Sequence, residues 1–335
     1  DMKGVCLEAR QKMVNKGKMP PSAHDFALRD MMFSTSDKFA MYKNPPNIDK
    51  ASVVFFPGCQ LPGSSPNHVE SVYKWLQLNY NNQVGLMLNC CGAPAIWSGR
   101  IDLVNEQMQL IRKTWLEQEK PKFILACPSC YAVFRDNLPE IEIELIYTTF
   151  RRLGLPETEK INETNLTVAI HDSCSVRLEE SIHEDVRYLL NQRGIPYEEL
   201  KYSKDKTACC GYGGLMMFAD RDVASKAITK RIEESDRPYL AYCAMCRDNF
   251  VNHGKETYHL LDLILNPNEK RIKSPDFSDR HENRALLKQS LLKEIWNENF
   301  EREVSMPLFI DEDVRLIMQK RNILVEDIQK VLTHV

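Results

Sequence analysis

The chain has 335 residues, which is enough for two domains, and its 43% hydrophobic and 27% charged residues are typical of a globular protein. A net charge of −3 gives no reason to expect a nucleic-acid partner. No signal peptide is visible and no apolar run is long enough to span a bilayer. We therefore expect a cytoplasmic chain that associates with a membrane only through partners.

Ten of the eleven cysteines form two sets with one order: a lone cysteine, a vicinal pair followed by glycine, and a C-x-x-C. The sets are Cys59, Cys90, Cys91, Cys127 and Cys130, and Cys174, Cys209, Cys210, Cys243 and Cys246. In a reducing compartment such groups indicate metal ligands. Vicinal cysteines are poorly placed for a disulfide, because adjacent Cα atoms are too close. Cys6 lies outside both sets, and we expect it to be a buried apolar thiol.

Residues 1–50 are predicted to form an N-terminal arm packed on the outside of the body. Residues 51–156 and 166–266 are predicted to be two copies of one domain, separated by a polar boundary at 156–165. In the first copy, strands are predicted at 52–56, 84–88, 123–126 and 143–147, with helices at 66–80 and 102–118 and a third opened by Cys130. In the second, strands are predicted at 166–170, 197–202 and 239–242, with helices at 181–193, 220–234 and around Cys246, and 258–265 closing the copy.

This alternation predicts an α/β fold of two small, mostly parallel sheets related by a pseudo-twofold axis. Each cysteine element follows a strand, so each copy gathers five thiolates at one sheet edge, where ligands collect in open α/β sheets. Residues 267–335 are predicted to form a linker to about residue 283 and a helical tail, with a helix at 284–300 and two short helices broken near Asn322. Packing on the body and docking to a partner both remain open for this tail.

Five thiolates in each set favour iron–sulfur clusters over structural zinc. A zinc site uses four ligands and would leave one thiol over in each set. Several irons bridged by sulfides can use all five. His171 is a candidate catalytic residue because it precedes Cys174 by three positions and could donate a proton beside a cluster. The alternative is that His171 ends its strand and bonds to the backbone.

The order of the motifs, C-x30-C-C-G-x-P with C-P-x-C-Y, then H-D-x-C and C-C-G-x-G-G with C-x-x-C, resembles the duplicated cysteine-rich CCG domain found in heterodisulfide reductase and in subunits of related iron–sulfur oxidoreductases. The resemblance covers about residues 51–266. It implies that each cysteine set binds a noncubane [4Fe-4S] cluster and that the chain reduces a disulfide or a similar two-electron acceptor. Shorter spacing in the second copy leaves an ordinary cubane cluster open there.

The resemblance also implies partners: a ferredoxin-like iron–sulfur subunit or upstream domain, a flavoprotein subunit, and a membrane subunit. We expect no flavin or NAD on this chain, because it has no G-x-G-x-x-G after a strand. Two other hypotheses remain open: a subunit that relays electrons to a membrane quinone-reducing partner, and a zinc-stapled scaffold without catalysis.

Overall fold

The computed structural model describes residues 2–18, 24–158, 166–268, 273–300 and 308–333. Two sheets form the centre of these regions. The strands are β1 (Met41–Lys43), β2 (Val53–Phe56), β3 (Val84–Leu88), β4 (Lys122–Leu125), β5 (Ile143–Leu145), β6 (Val168–His171), β7 (Tyr197–Glu199), β8 (Tyr239–Ala241) and β9 (Thr257–His259). The helices are α1 (Met2–Asn15), α2 (Asp25–Thr35), α3 (Gln60–Ser64), α4 (Pro66–Asn79), α5 (Ala93–Ser98), α6 (Ile101–Glu117), α7 (Pro128–Asn137), α8 (Ile146–Leu153), α9 (Glu180–Gln192), α10 (Met216–Ala219), α11 (Arg221–Ile232), α12 (Ala244–Asn252), α13 (Leu260–Leu265), α14 (Phe277–Trp296), α15 (Glu312–Arg321) and α16 (Val325–Thr333).

The first sheet has the order β1-β3-β2-β4-β5. Strand β2 is buried along its whole length and pairs in parallel with both β3 and β4. The chain therefore leaves β2 for one side of the sheet and returns to the other side. This reversal brings the carboxyl ends of β2, β3 and β4 together, which is where ligands bind in open α/β sheets.

The second sheet repeats this arrangement with the order β7-β6-β8-β9, and all its pairings are parallel. The central strand β6 is buried throughout, as β2 is. The two copies also pack on each other reciprocally: α8 contacts α9, and their counterparts α13 and α4 contact each other. The predicted α/β fold of two parallel-sheet repeats with a helical C-terminal tail is confirmed.

The N-terminal arm from α2 to β1 is part of the body, which corrects the prediction of a strap on its outside, whereas the described side chains of α1 are exposed or half-buried. Strand β1 pairs antiparallel with β3 and forms the edge of the first sheet. Helix α2 carries the buried Asp30, whose carboxylate pairs with Arg284 of α14 at 2.6 Å. Three residues are too few for a strand to be recognised from sequence pattern. Cys6 is exposed, so the prediction of a buried thiol is wrong.

The tail helix α14 begins at Phe277, within the region predicted to be a linker. Its start is fixed by a capping box, in which Asp276 accepts a hydrogen bond from the Asp279 backbone at 2.8 Å. The helix packs against α3, so this part of the tail lies on the body. Helices α15 and α16 separate at Asn322, whose φ is +54°, as predicted.

Two strand predictions extend too far. The predicted strand 143–147 ends at Leu145, and α8 begins at the next residue. The predicted strand 197–202 ends at Glu199. The boundary stretch 156–165 lies largely outside the described residues. In the part of the chain that the structure describes, we find no helix with the length and apolar character needed to cross a membrane.

Candidate metal centre

The first cysteine set lies on three loops at the carboxyl edge of the first sheet. Cys59 follows β2, the vicinal pair follows β3, and Cys127 follows β4 immediately before α7. Pro128 occupies the first position of α7, where its missing N–H costs no hydrogen bond. Cys130 therefore lies in the first turn, and the N–H groups of that turn are free to face sulfur.

The second set is positioned in the same way. Cys174 begins a short 3₁₀ turn after β6, and Cys243 precedes α12. Cys246 lies in the first turn of that helix, as Cys130 does in α7. The pair Cys209-Cys210 follows the polar loop after β7. All ten predicted ligands thus lie at sheet edges of matching geometry.

The vicinal pairs have one backbone conformation in both copies. Gly92 and Gly211 each have φ +85°, a left-handed conformation that favours glycine. The Gly92 N–H donates to Cys90 Sγ at 3.4 Å, and the Gly211 N–H donates to Cys209 Sγ at 3.3 Å. The glycine after each pair therefore turns its own N–H onto the first sulfur of that pair.

The thiols lie within contact distance of one another. Cys59 Sγ is 3.6 Å from Cys90 Sγ, and Cys246 Sγ is 3.1 Å from Cys210 Sγ. Gly58 is also required by close approach: a Cβ at this residue would lie 2.9 Å from Cys130 Sγ. The loops therefore hold each set as one compact group of sulfur ligands.

Both sets open on one cavity, with about 670 Å³ of empty space including its solvent-facing part. Its lining is mostly apolar. It consists largely of Cys59, Cys90, Cys91, Cys127, Cys130, Cys174, Cys210, Cys243 and Cys246, together with Trp97, Tyr212 and Met245. Cys127 and Cys243, which occupy equivalent positions in the two copies, lie close enough for each thiol to shift the pKa of the other.

Hydrogen bonds between thiols divide them into acidic and basic members. Bonds from Cys130 and Cys243 hold the pKa of Cys127 well below its usual value. Bonds from Cys130 and Cys90 lower the pKa of Cys91 to about 6. The bond to Cys127 raises the pKa of Cys243 to about 12. Thiolate, the form that binds metals, is therefore available at neutral pH in a buried site.

His171 lies at the end of β6 and is only 1% exposed. Its Nδ1 accepts a hydrogen bond from Arg231 Nε at 3.1 Å, and its ring packs edge-on against Phe250. Burial and the Arg231 charge lower the pKa of His171 to about 3, so the ring is neutral at pH 7. It bonds to a side chain rather than to the backbone, and its catalytic role stays a prediction.

Asp172 holds the loop that carries the second vicinal pair. Its carboxylate accepts two hydrogen bonds from Arg187, at 2.7 and 2.8 Å, and one from the Lys204 backbone at 2.8 Å. Its carbonyl accepts from the Thr207 hydroxyl at 2.8 Å. These bonds fix the chain just before Cys209, so Asp172 acts as an anchor for the loop.

Sequence reasoning missed Arg284 of α14. This arginine is fully buried, and its Nε donates to the Cys59 carbonyl at 2.8 Å. Asp30 neutralises it from the arm. The three residues come from distant parts of the chain, and no local motif marks them. The tail and the arm thus hold the loop that carries the first cysteine.

The donor set fits an iron–sulfur group. All ten donors are soft sulfur atoms, which suit iron–sulfur clusters and zinc and not hard cations. Each set has five thiols, one more than a tetrahedral zinc needs. Peptide N–H groups bonded to sulfur, as at Gly92 and Gly211, are also typical surroundings for cluster thiolates.

The fold and the thiol sets define a protein built from two sulfur-ligand domains that share one cavity. The Cysteine-rich domain family (CCG) matches residues 53–135 and 168–250, so the chain contains this domain twice and belongs to that family.

Curated relatives agree with this assignment. The chain is 24% identical over 247 residues to one of the subunits of dihydromethanophenazine:CoB--CoM heterodisulfide reductase from Methanosarcina mazei, covering 66% of this chain and 59% of the relative. It is 25% identical to one of the subunits of fumarate reductase (CoM/CoB) from Methanothermobacter marburgensis, covering 52% and 37% respectively. It is 22% identical to the EtfAB:quinone oxidoreductase of Syntrophomonas wolfei, covering 41% and 20%.

The chain spans less than three fifths of the length of each of these relatives. The chain is also 24% identical to a probable iron–sulfur-binding oxidoreductase of Bacillus subtilis, covering 38% of this chain and 19% of that relative.

Proposed function

We propose that this chain binds two [4Fe-4S] clusters, one in each cysteine set, and reduces a disulfide or a similar two-electron acceptor in the shared cavity. The observation that carries the proposal is that one apolar cavity is lined by all five cysteines of the first set and by four of the second, Cys174, Cys210, Cys243 and Cys246. A subunit that only relays electrons does not need one cavity shared by both sets, since a cavity that opens on a single set would serve that purpose equally well. Two sets facing one space allow both sulfurs of a disulfide to meet a metal centre. We propose 51–156 and 166–266 as the limits of the two domains.

The proposed reaction balances as one disulfide plus two electrons and two protons giving two thiols. The clusters would supply the electrons when bound. Side chains of this chain shape the cavity and exclude water from it. Trp97 and Tyr212 pack edge to face, with ring centroids 6.1 Å apart, and Met245 also lines the cavity. Low polarity in the cavity strengthens the interaction of a sulfur ligand with a metal centre.

Electrons must reach the clusters from outside, and we propose a ferredoxin-like iron–sulfur subunit or domain and a flavoprotein as donors. The relatives named above include subunits of reductases, which supports a multi-subunit setting. We place the complex in the cytoplasm, at the membrane where a membrane subunit is present.

The test is the iron, sulfide and zinc content of anaerobically purified protein, with EPR and turnover of small disulfides by a strong reductant. About eight irons per chain with matching sulfide, the sum of two four-iron clusters, and thiol release are expected. An EPR signal unlike that of a cubane cluster would support the noncubane type. Zinc without sulfide would instead establish the scaffold hypothesis.

A second candidate is an electron relay to a membrane quinone-reducing partner. Its support is the similarity to the EtfAB:quinone oxidoreductase. Full clusters with no thiol release from any disulfide, together with rapid electron transfer to a quinone-linked partner, would favour the relay and reject the reductase.

A further inference from the structure

His171 places a buried, unpartnered nitrogen at the second cysteine set. A ring nitrogen of His171 lies within 4.8 Å of Cys210 Sγ and Cys246 Sγ. Its Nδ1 accepts from Arg231, whereas its Nε2 is buried without a hydrogen-bond partner among the residues that the structure describes. A buried polar atom without a partner is unfavourable, so such an atom next to a candidate ligand site indicates a partner supplied by that ligand.

The contact with Arg231 fixes which nitrogen carries the proton. A guanidinium can only donate, so Nδ1 must be the unprotonated nitrogen. The neutral ring then has its proton on Nε2. A nitrogen that holds a proton cannot ligate a metal. His171 therefore faces the sulfurs as a donor, and the grouping of His171 with the two cysteines is not a three-residue metal site.

Arg231 is itself held in place. Its Nη1 pairs with Glu234 at 2.7 Å, and its side chain is 1% exposed. Tyr239 donates to the Arg231 carbonyl at 2.6 Å. The arginine therefore has little freedom to release the imidazole and let the ring take the other tautomer.

The first domain has no equivalent donor. The position that matches His171, three residues before the lone cysteine, is Phe56. One neighbouring ring is matched as well: Phe56 contacts Phe134 edge-on at 5.2 Å, and His171 contacts the equivalent Phe250 edge-on at 4.7 Å. At this position the second domain therefore has an imidazole N–H where the first has a phenyl ring.

Resting on the proposed function, we propose that His171 Nε2–H donates a hydrogen bond to a sulfur of the second cluster and raises its reduction potential above that of the first. A donor to sulfur stabilises the reduced, more negative state of a cluster. The first cluster, next to Phe56, has no such donor from this position. Electrons would therefore settle on the second domain, which makes its side of the cavity the more easily reduced one. His171 acts in this role as a positioning residue that tunes the cluster.

The experiment is an EPR-monitored redox titration of the anaerobically purified holoprotein, comparing the wild type with His171→Phe, which reproduces the first domain. The expected result is unchanged iron content and a lower potential for one cluster, with the other unmoved. Phe56→Leu is the matched control and should leave the second cluster's potential where it is. Unchanged potentials in a fully loaded His171→Phe protein overturn the inference.

Pulsed EPR of the wild type in H₂O and D₂O gives a second measurement that needs no variant. A weak histidine nitrogen coupling together with an exchangeable proton coupling at one cluster is expected. A strong nitrogen coupling typical of a ligand, or no histidine coupling at all, overturns the inference. Absence of iron and sulfide from the wild type would instead reject the proposed function.

Discussion

At the scale of single residues, Gly211 shows how a cysteine motif is built into the fold. Its φ is +85°, and a Cβ there would lie 2.5 Å from Ile228 Cγ1 on α11. Glycine is therefore required at this position for two reasons: it adopts the left-handed backbone conformation, and it leaves room for Ile228 of α11 to pack against the backbone. Its N–H also bonds to Cys209. A change at Gly211 should thus disturb a ligand as well as the packing.

We predict that Gly211→Ala lowers the free energy of unfolding by about 2–4 kcal/mol, from left-handed strain and overpacking together. Gly254→Ala is the matched control: its φ is +80°, but no atom of the described part of the chain lies within 4 Å of the added carbon. It should cost only about 1–2 kcal/mol. Chemical denaturation of both variants measures the difference, and equal losses would contradict the role of Ile228.

We predict that Cys90→Ser and Cys209→Ser each reduce bound iron from about eight to about four per chain, because each removes a ligand from one set. The control is Cys6→Ser, since Cys6 is exposed and outside both sets. Iron analysis with EPR distinguishes the two single losses. Full iron content and full turnover in both ligand variants would show that the vicinal pairs do not bind the clusters.

At the scale of elements, α14 and α2 hold the loop that carries Cys59, although both helices lie outside the two repeated domains. Arg284 bonds to the Cys59 carbonyl and to Asp30, and His281 Nε2 contacts the same carboxylate at 3.1 Å. A buried charge is stable only while its partner remains. The arm and the tail are therefore joined through one buried carboxylate.

We predict that Asp30→Ala lowers the free energy of unfolding by about 3–5 kcal/mol, because Arg284 is left buried without a counter-charge. The double variant Asp30→Ala with Arg284→Met should lose less than the single variant. Asp25→Ala, at an exposed position of the same helix, is the control. A double variant less stable than the single one would show that the charge pair is not what holds α14.

We predict that the anchoring of α14 weakens as pH rises. Burial opposes protonation of His281, but its hydrogen bonds to Asp30 and Glu326 prevail and raise its pKa above the usual value of about 6.5. The stability that protonated His281 contributes is complete at pH values below its pKa in the unfolded chain. It is lost as the pH rises through the pKa of His281 in the folded protein. Hydrogen exchange of α14 at pH 6 and pH 8.5 should show the loss, and His281→Gln should reduce it. The same pH difference in both proteins would contradict the prediction.

At the scale of the whole molecule, the cavity is also the boundary between the two domains. Cys127 and Cys243 meet there, and Tyr147 donates to the Tyr242 carbonyl across the boundary at 2.9 Å. Clusters held by the two cysteine sets would lie at this boundary, one on each side of it. A ligand that binds the folded chain but not the unfolded chain stabilises the folded state by mass action.

We therefore predict that stripping iron with a chelator lowers the melting temperature of the whole chain, in one transition. The comparison is between loaded and stripped wild-type protein by calorimetry. Stripped Cys90→Ser should match stripped wild type, which controls for the substitution itself. Equal melting temperatures for loaded and stripped protein would show that the bound metal does not stabilise the folded chain.

The repeat and the position of the cysteines at the sheet edges could be predicted because their signals are local. Cysteine spacing repeats, and five strands (β2, β3, β4, β6 and β8) are short apolar runs followed within three residues by a cysteine, as Val53–Phe56 is by Cys59. Arg284 could not be found, because its partner Asp30 is 254 residues away. The start of α14 was misplaced because its first turns are polar and resemble a linker. Charged residues are normally predicted to be exposed, so core positions occupied by a buried ion pair are not recognised from the sequence.

The reciprocal packing of α8 on α9 and α13 on α4 has a consequence for ancestry. Contacts that map onto themselves under a twofold axis are those of a symmetric homodimer. A single domain of this kind, paired with a second copy of itself, would already form the same enclosed space with equivalent thiols face to face. Fusion of two copies into one chain then lets each half accept substitutions separately. Phe56 and His171 are such a divergence at one inherited position, and it could not have arisen while both halves were encoded by the same gene segment.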